Sequence, residues 1–349
     1  LLLLLNFNSC VSPVLPPPIT MKHRLLWLFA AIAIFVSSAT AADLRICSFN
    51  IQFLGNSTKR DEAGLAMQLR DYDIVVIQEL VSPPFTGVFP GGKKLNPDEQ
   101  SAKFFNAMTL LGFKFVLSEE DTGKGVQNQR NGSATEWYVT FYRESAVTPV
   151  ADEPELPTEF LAKDLSKNPD YDRVPYAFGF RTADAKLDFV LISVHLRPSA
   201  GTANAARRKH ELMSIAQWVD LHDAKEKDFI ILGDMNIEDA DELEDATPEG
   251  FLSLNDEAVA TNTIMAKDPL KGRPYDHVMY RPEFSANEIN LTFDFRVVNL
   301  VDAMESRWKQ VSESTYPGKP NYDHDKFRAI YSDHHPVEFR MTIPSKDDD

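Results

Sequence analysis

Three stretches of this sequence share one form: "DIVVIQE" (73–79), "FVLISVH" (189–195) and "FIILGD" (229–234). Each is an almost unbroken run of β-branched and aliphatic residues that stops on a side chain able to hold a metal or move a proton. Runs this short suit strands covered on both faces, because a half-exposed strand alternates apolar and polar residues. A chain with several such strands must pack its sheets on both sides. The same reading places strands at Leu44–Asn50, Asp73–Glu79, Phe113–Leu117, Glu136–Tyr142, Lys186–His195, Asp228–Leu232, Tyr275–Tyr280 and Val337–Ile343. Helical periodicity marks Asp61–Arg70, Ser101–Leu111 and Thr202–Asp223 between them. Long loops are expected at 82–98, 118–135 and 143–172, and loops of that length are usually functional or disordered. No internal repeat and no linker divides the chain, so 42–349 reads as a single domain.

The first 41 residues read differently. Lys22 and Arg24 precede an apolar run, Leu25–Val36, and Ala39-Thr40-Ala41 supplies small residues for a signal peptidase. Residues 21–41 are therefore expected to be a signal peptide, with cleavage near Ala41–Ala42 and a secreted or periplasmic product. Residues 1–20 precede Met21 and are expected to be upstream sequence translated in error. Beyond the leader only Cys47 remains, so no intrachain disulfide can form. The formal charge of the whole chain is −16, so its overall field repels polyanions. A phosphate ligand would have to be met by local cations or by metal ions.

Polar residues recur at the strand ends. Asn50 closes "CSFN", Glu79 closes "VVIQE", Glu136 opens "EWYVTFY" and His195 closes "ISVH". Asp234 and Asn236 stand in "GDMN", Asp276 in "YDHV", and Asp333 and His334 in "SDHHPV". A polar side chain at a buried strand end costs stability unless it is paired or functional. Singly, each has a bland reading: Asn50 a cap, Asp234-Met235-Asn236 a turn, Glu79 a solvated carboxylate. Seven such places in one chain argue for a common site.

In order and content, "FNIQ", "DIVVIQE", "SVHLRPS", "GDMN", "YDHV" and "SDHHPV" resemble the endonuclease/exonuclease/phosphatase superfamily, and its deoxyribonuclease I-like branch most closely. The resemblance runs from Asn50 to Pro336. It implies a four-layer α/β sandwich of two packed, mostly antiparallel sheets flanked by helices, with the site at one end. It also implies a divalent metal, Mg²⁺ foremost with Ca²⁺ or Mn²⁺ as alternatives, held by Glu79 with Asn50 and Asp333. Two His–carboxylate pairs follow from it, Glu136 with His195 and Asp276 with His334, with Asp234 and Asn236 contacting water, metal or phosphate. Arg173 and Asn50 would touch the substrate phosphate. These residue types suit the chemistry: hard oxygen ligands hold Mg²⁺ or Ca²⁺, and imidazole transfers protons near neutral pH.

The departures bear on the substrate. The positions that insert an Arg and a Tyr into the DNA minor groove in deoxyribonuclease I correspond to Val81 and Ala134. Lys93, Lys94, Lys124 and Arg130 in the loops are the candidate replacements. The leading reading is a secreted metal-dependent nuclease acting on nucleic acid, DNA before RNA, with no stable protein partner. The alternative is a phosphodiesterase or phosphatase acting on lipid headgroups or small phosphoesters, with Phe85 and Phe89 as a membrane tip. A non-catalytic binding protein is the third reading, and no lost ligand supports it. Asp323, His324 and Asp325 read as a solvated turn, His210, His222 and His277 as surface or supporting residues, and Arg207, Arg208 and Lys209 as an exposed helix face. His335 reads as shaping the loop that carries His334.

Overall fold

Period-2 alternation sorts each strand's side chains between two apolar layers. In β1 (Asp43–Leu54) and β2 (Ile74–Leu80), Leu44, Ile46, Ile74 and Val76 enter one cluster, while Cys47, Phe49, Val75 and Ile77 enter another. In β9 (Asp188–His195) and β10 (Phe229–Asp234), Phe189, Leu191, Ile230 and Leu232 join that first cluster, and Val190, Ile192, Val194 and Ile231 a third. The shared cluster is the seam between two sheets packed face to face. The other two lie under helices. Glu62–Gln68, Glu99–Leu110, Leu300–Ala303, Glu305–Val311 and His324–Ile330 cover one sheet, and Thr202–His222 and Ala240–Ala246 cover the other. The result is the expected four-layer α/β sandwich.

The computed structural model describes residues 43–347 apart from 57–58, 86, 89–93, 96, 123–135, 151–152, 166–167, 294 and 312–322. Residues Ala41–Asp349 make one compact unit. The leader at 1–41, most of the loop at 118–135 including Lys124, Arg130 and Ala134, and Phe89 and Lys93 lie outside the described residues. No helix among the described residues is long and apolar enough to cross a membrane.

The remaining strands are β3 (Gly87–Val88), β4 (Lys94–Leu95), β5 (Lys114–Leu117), β6 (Trp137–Tyr142), β7 (Val147–Pro149), β8 (Tyr176–Thr182), β11 (Leu252–Ser253), β12 (Asp276–Tyr280), β13 (Arg296–Val297) and β14 (Val337–Thr342). One six-stranded sheet has the order β13-β14-β1-β2-β6-β5, the other β11-β12-β10-β9-β8-β7. Each contains one parallel pair, β1 with β2 and β9 with β10, among antiparallel neighbours. These pairs bring Asn50, Glu79, His195 and Asp234 to one end of the sandwich. β3 and β4 form a small hairpin inside the 82–98 loop.

Several expectations are corrected. "YAFGFRT" is a central strand, β8, and Gly179 is required in it, since an added Cβ would lie 2.4 Å from the Leu156 carbonyl oxygen. Arg208 is fully buried rather than exposed. Its guanidinium is bidentate to Glu242, at 2.6 and 2.9 Å, and donates to the carbonyls of Arg197 and Ser199. Those contacts supply what a buried charge needs. Asp323 is no loose turn residue: it caps the helix His324–Ile330 by accepting from Lys326 N, and His324 packs inward against Thr263. His277 is not at the surface. It is fully buried beside Ser253, and burial pushes its pKa down to about 4.

Candidate active site

Two bulges shape the mouth of the sandwich. The β1–β2 register shifts between Asn50 and Leu54, and the β2–β6 register between Ile77 and Leu80. Gln52, Phe53 and Glu79 sit there at φ of 54°, 53° and 64°, and Asn236 at 53°. Left-handed backbone at non-glycine residues costs of order 1–3 kcal/mol each and persists only where surroundings enforce it. Here they do: Glu79 N donates to Glu136 at 2.7 Å, and Phe53 N donates back to the Glu79 carboxylate at 2.9 Å. Gly233, at φ 140°, lets β10 lie against β9. A Cβ there would lie 2.2 Å from the Val194 carbonyl oxygen.

Asp234 is the focus of the site. Its Oδ2 accepts from Asn50 Nδ2 at 2.8 Å and lies 3.5 Å from Nε2 of both His195 and His334. Its Oδ1 accepts from Asn236 N. Behind each imidazole stands a buried carboxylate. His195 Nδ1 is 3.0 Å from Glu136, and His334 Nδ1 is 2.8 Å from Asp276. The two rings thus turn their Nε2 atoms toward one cavity of about 300 Å³, whose wall also includes Glu79, Arg173, Asn236, Tyr275 and Asp333. Every proposed site residue except Asn50 lines this cavity or stands directly behind one that does. Asn50 lies beneath, giving its amide hydrogens to Glu79 and Asp234 and accepting at its oxygen from Gln52 N.

Burial alone would lower the proton affinity of both imidazoles. For His195, Arg173 adds to that, yet Glu136 and Asp234 outweigh both and the pKa stands above the ordinary value. For His334, Asp276 and Asp234 overcome burial and hold the pKa well above it. Glu136 is the converse: burial would raise it, but His195 and then Arg173 hold it low. Glu79 is raised, first by burial and then by Asp333 and Glu136, against the pull of His195 and Asn50. His335 faces away, accepts from Leu300 N at 2.9 Å and is pushed down to about 4 by burial and by His334. It shapes the turn.

Arg173 has a structural job at this site. Its Nε lies 3.0 Å from Glu136, and its Nη1 donates to the carbonyls of His195 and Leu196 at 2.9 and 3.2 Å. Sequence reasoning missed Thr261, which donates to Asp276 at 2.6 Å, and Gln52, which donates to Asp333 at 2.8 Å. It also passed over Tyr275, whose ring centre is 5.7 Å from that of His334. Gln52 closes the quoted "FNIQ" and Tyr275 opens the quoted "YDHV", so both could have been flagged. Nothing in the sequence marks Thr261.

The Endonuclease/Exonuclease/phosphatase family model matches residues 47–334, the span that carries all of these groups. The chain belongs to this family. No curated protein matches it in sequence. Solved structures with the same fold include a family protein from Bacteroides thetaiotaomicron, 15% identical over 87% of this chain and 96% of that one, TM-score 0.51. The human nocturnin catalytic domain with bound sulfate is 14% identical over 86% and 94%, TM-score 0.51. A mannosyl-6-phosphatase from B. thetaiotaomicron is 16% identical over 86% and 99%, TM-score 0.50. At such identities the likeness is one of fold.

Members of this family are generally metal-dependent phosphoester hydrolases, and the donors here fit a hard divalent cation. Ligand atoms of Glu79, His195 and Asp234 lie within 4.8 Å of one another, as do those of Asp234, Asp276 and His334. Asp333 Oδ1 is buried and has no hydrogen-bond partner among the described residues. Glu79 and Asp333 line the same cavity, and burial first, then Asp333, makes Glu79 harder to ionise. Carboxylate oxygens crowded into one wall without a thiolate are the donor set of Mg²⁺, Ca²⁺ or Mn²⁺.

Proposed function

We propose that this protein is a secreted, metal-dependent phosphodiester hydrolase whose substrate is nucleic acid, DNA before RNA. The observation that carries the reading is the convergence of two carboxylate-backed imidazoles on one cavity. Hydrolysis of a diester needs a proton taken from water and a proton given to the leaving oxygen. A single His–carboxylate pair provides one of these. Two pairs whose Nε2 atoms lie 3.5 Å from the same Asp234 oxygen would provide both. Glu79 and Asp333 would hold Mg²⁺, which supplies charge stabilisation on the phosphate when bound. Asn50 keeps Glu79 and Asp234 apart and in place. Asn236, fixed by its own backbone bond to Asp234, lines the cavity where phosphate or water would lie.

The test is a substrate panel on purified protein with Mg²⁺ and with excess EDTA: plasmid DNA, RNA, bis-p-nitrophenyl phosphate, a sphingolipid and a phosphate monoester. The reading expects cleavage of DNA and of the simple diester, abolished by chelator. Turnover confined to the monoester, or undiminished in EDTA, overturns it. Cleavage of the sphingolipid in place of DNA moves the substrate to lipid headgroups.

A further inference from the structure

A second cavity, of about 270 Å³, adjoins the first and is bounded by Gln52, Phe53, Asn56, Arg60, Arg328 and Ala329, with one carboxylate, Asp325, also in its wall. Phe53 belongs to the walls of both cavities. Asp333 ties them together: its Oδ2 accepts from Gln52 Nε2 at 2.8 Å and lies 3.7 Å from Arg328 Nη1. Phe53 is 45% exposed as a residue, on left-handed backbone, at the lip between the two. That placement is enforced. Phe53 N is held by Glu79, and the buried Arg60 guanidinium grips the carbonyls of Ile51, Gln52 and Tyr331. Arg60 is thus committed to the backbone. Among the described residues lining this cavity, the cation not committed to backbone is Arg328, whose side chain is 44% exposed and lies between Asp325 and Asp333. Its contact with Asp325 is an exposed i,i+3 pair, a kind that competes weakly with a better anion.

An exposed aromatic face held in place, with a guanidinium beyond it, is the pairing that binds a nucleotide: base on the ring, phosphate on the fork. The chain's net charge of −16 means that a second phosphate needs such a local cation. We propose that the second cavity is a subsite for the phosphate next to the scissile one along a polynucleotide strand. Arg328 binds that phosphate, and the base between the two phosphates stacks on Phe53. The proposal rests on the diesterase reading and sharpens it. A substrate with one phosphate group, such as a lipid headgroup, leaves this subsite unused. Stacking on a phenyl face tolerates every base, so the subsite confers a preference for strand length and none for sequence.

The test compares Phe53→Leu and Arg328→Gln with the wild type on a ten-residue oligothymidylate and on bis-p-nitrophenyl phosphate. Removing a base–aromatic stack costs about ten-fold to a hundred-fold. Phe53 also walls the catalytic cavity and Arg328 also flanks Asp333, so some loss on the simple diester is expected; each variant should lose about ten-fold or more in kcat/KM on the oligonucleotide beyond whatever it loses there. Equal losses on both substrates, or none on the oligonucleotide, overturn the subsite. Calorimetry in EDTA separates the two claims. Wild-type protein should bind a 5′-phosphorylated thymidine trinucleotide more tightly than thymidine monophosphate, and both variants should erase the difference. A trinucleotide bound no more tightly overturns the subsite whatever the turnover. A tightly bound trinucleotide with no diester cleavage overturns the diesterase reading instead.

Discussion

Replacing Arg173 by Ala separates two roles that a single arginine near a phosphate site could have. As a substrate contact only, its loss would raise KM and leave the fold alone. The structure expects more. The side chain is 11% exposed, and its pair with Glu136, itself 2% exposed, is buried. Removing one partner of such a pair typically costs about 3–5 kcal/mol, because the other charge is left uncompensated. A kcal/mol moves the melting point of a domain near this size by roughly 2–4 °C, so the variant should melt about 10 °C lower. The two carbonyls that Arg173 binds belong to His195 and Leu196, so kcat should fall as well. The pH dependence has a definite sign. Glu136 has a depressed folded pKa, burial being outweighed by His195 and Arg173. Its stabilising contribution is present above its unfolded value, about 4.3, and is lost as pH falls through the folded one. The melting-point gap between wild type and variant should therefore be full at neutral pH and close in acid. Arg173→Lys, which keeps the charge and loses the fork, should fall between. Differential scanning calorimetry from pH 3 to 8, with steady-state kinetics, reads all of this. A variant that melts within a degree of wild type at pH 7 and changes only in KM would refute the clamp.

Glu79→Gln should lose most activity without losing stability in metal-free buffer, since burial already disfavours the charged form; Mg²⁺ should raise the melting point of wild type and not of the variant. Mg²⁺ stabilising both equally would show that Glu79 is no ligand. His195→Ala and His334→Ala should each cost about two to four orders of magnitude in kcat, and the double variant little more, because the two rings serve one reaction. Multiplicative losses in the double variant would mean independent functions. Processing near Ala41–Ala42 is expected on export, and N-terminal sequencing of secreted protein checks it; a product retaining Leu25–Val36 contradicts it.

The site was legible because its residues sit at strand ends, where a buried apolar run makes a polar terminus conspicuous. "IVVIQE" and "FIILGD" announce both a strand and its last, costly residue. What escaped was whatever depends on partners far along the chain. Arg208 looks like any helix-surface cation until Glu242 and the carbonyls of Arg197 and Ser199 enclose it. Arg173 was recognisable as a site residue, but its grip on Glu136 is a matter of direction, which spacing does not encode. Phe53 followed a motif residue by only three positions, yet its exposure results from left-handed backbone that the sequence "NIQF" does not advertise. "YAFGFRT" was overlooked because a central glycine weakens a strand pattern.

The bonds that assemble the mouth of the sandwich span most of the chain. Asn50 reaches Asp234 across 184 positions, Gln52 reaches Asp333 across 281, and Ser332 closes on the Asn50 carbonyl across 282. Neither sheet alone contains both imidazoles: His195 belongs to β9, while His334 precedes β14 in the opposite sheet. During synthesis, the stretch with Asp333 and His334 leaves the ribosome after every other residue of the site. A growing chain therefore carries no complete hydrolytic centre, however well its earlier strands have paired. If its substrate is nucleic acid, as proposed above, the order of the chain is itself a safeguard, keeping the activity latent while the protein is still beside the RNA that encodes it.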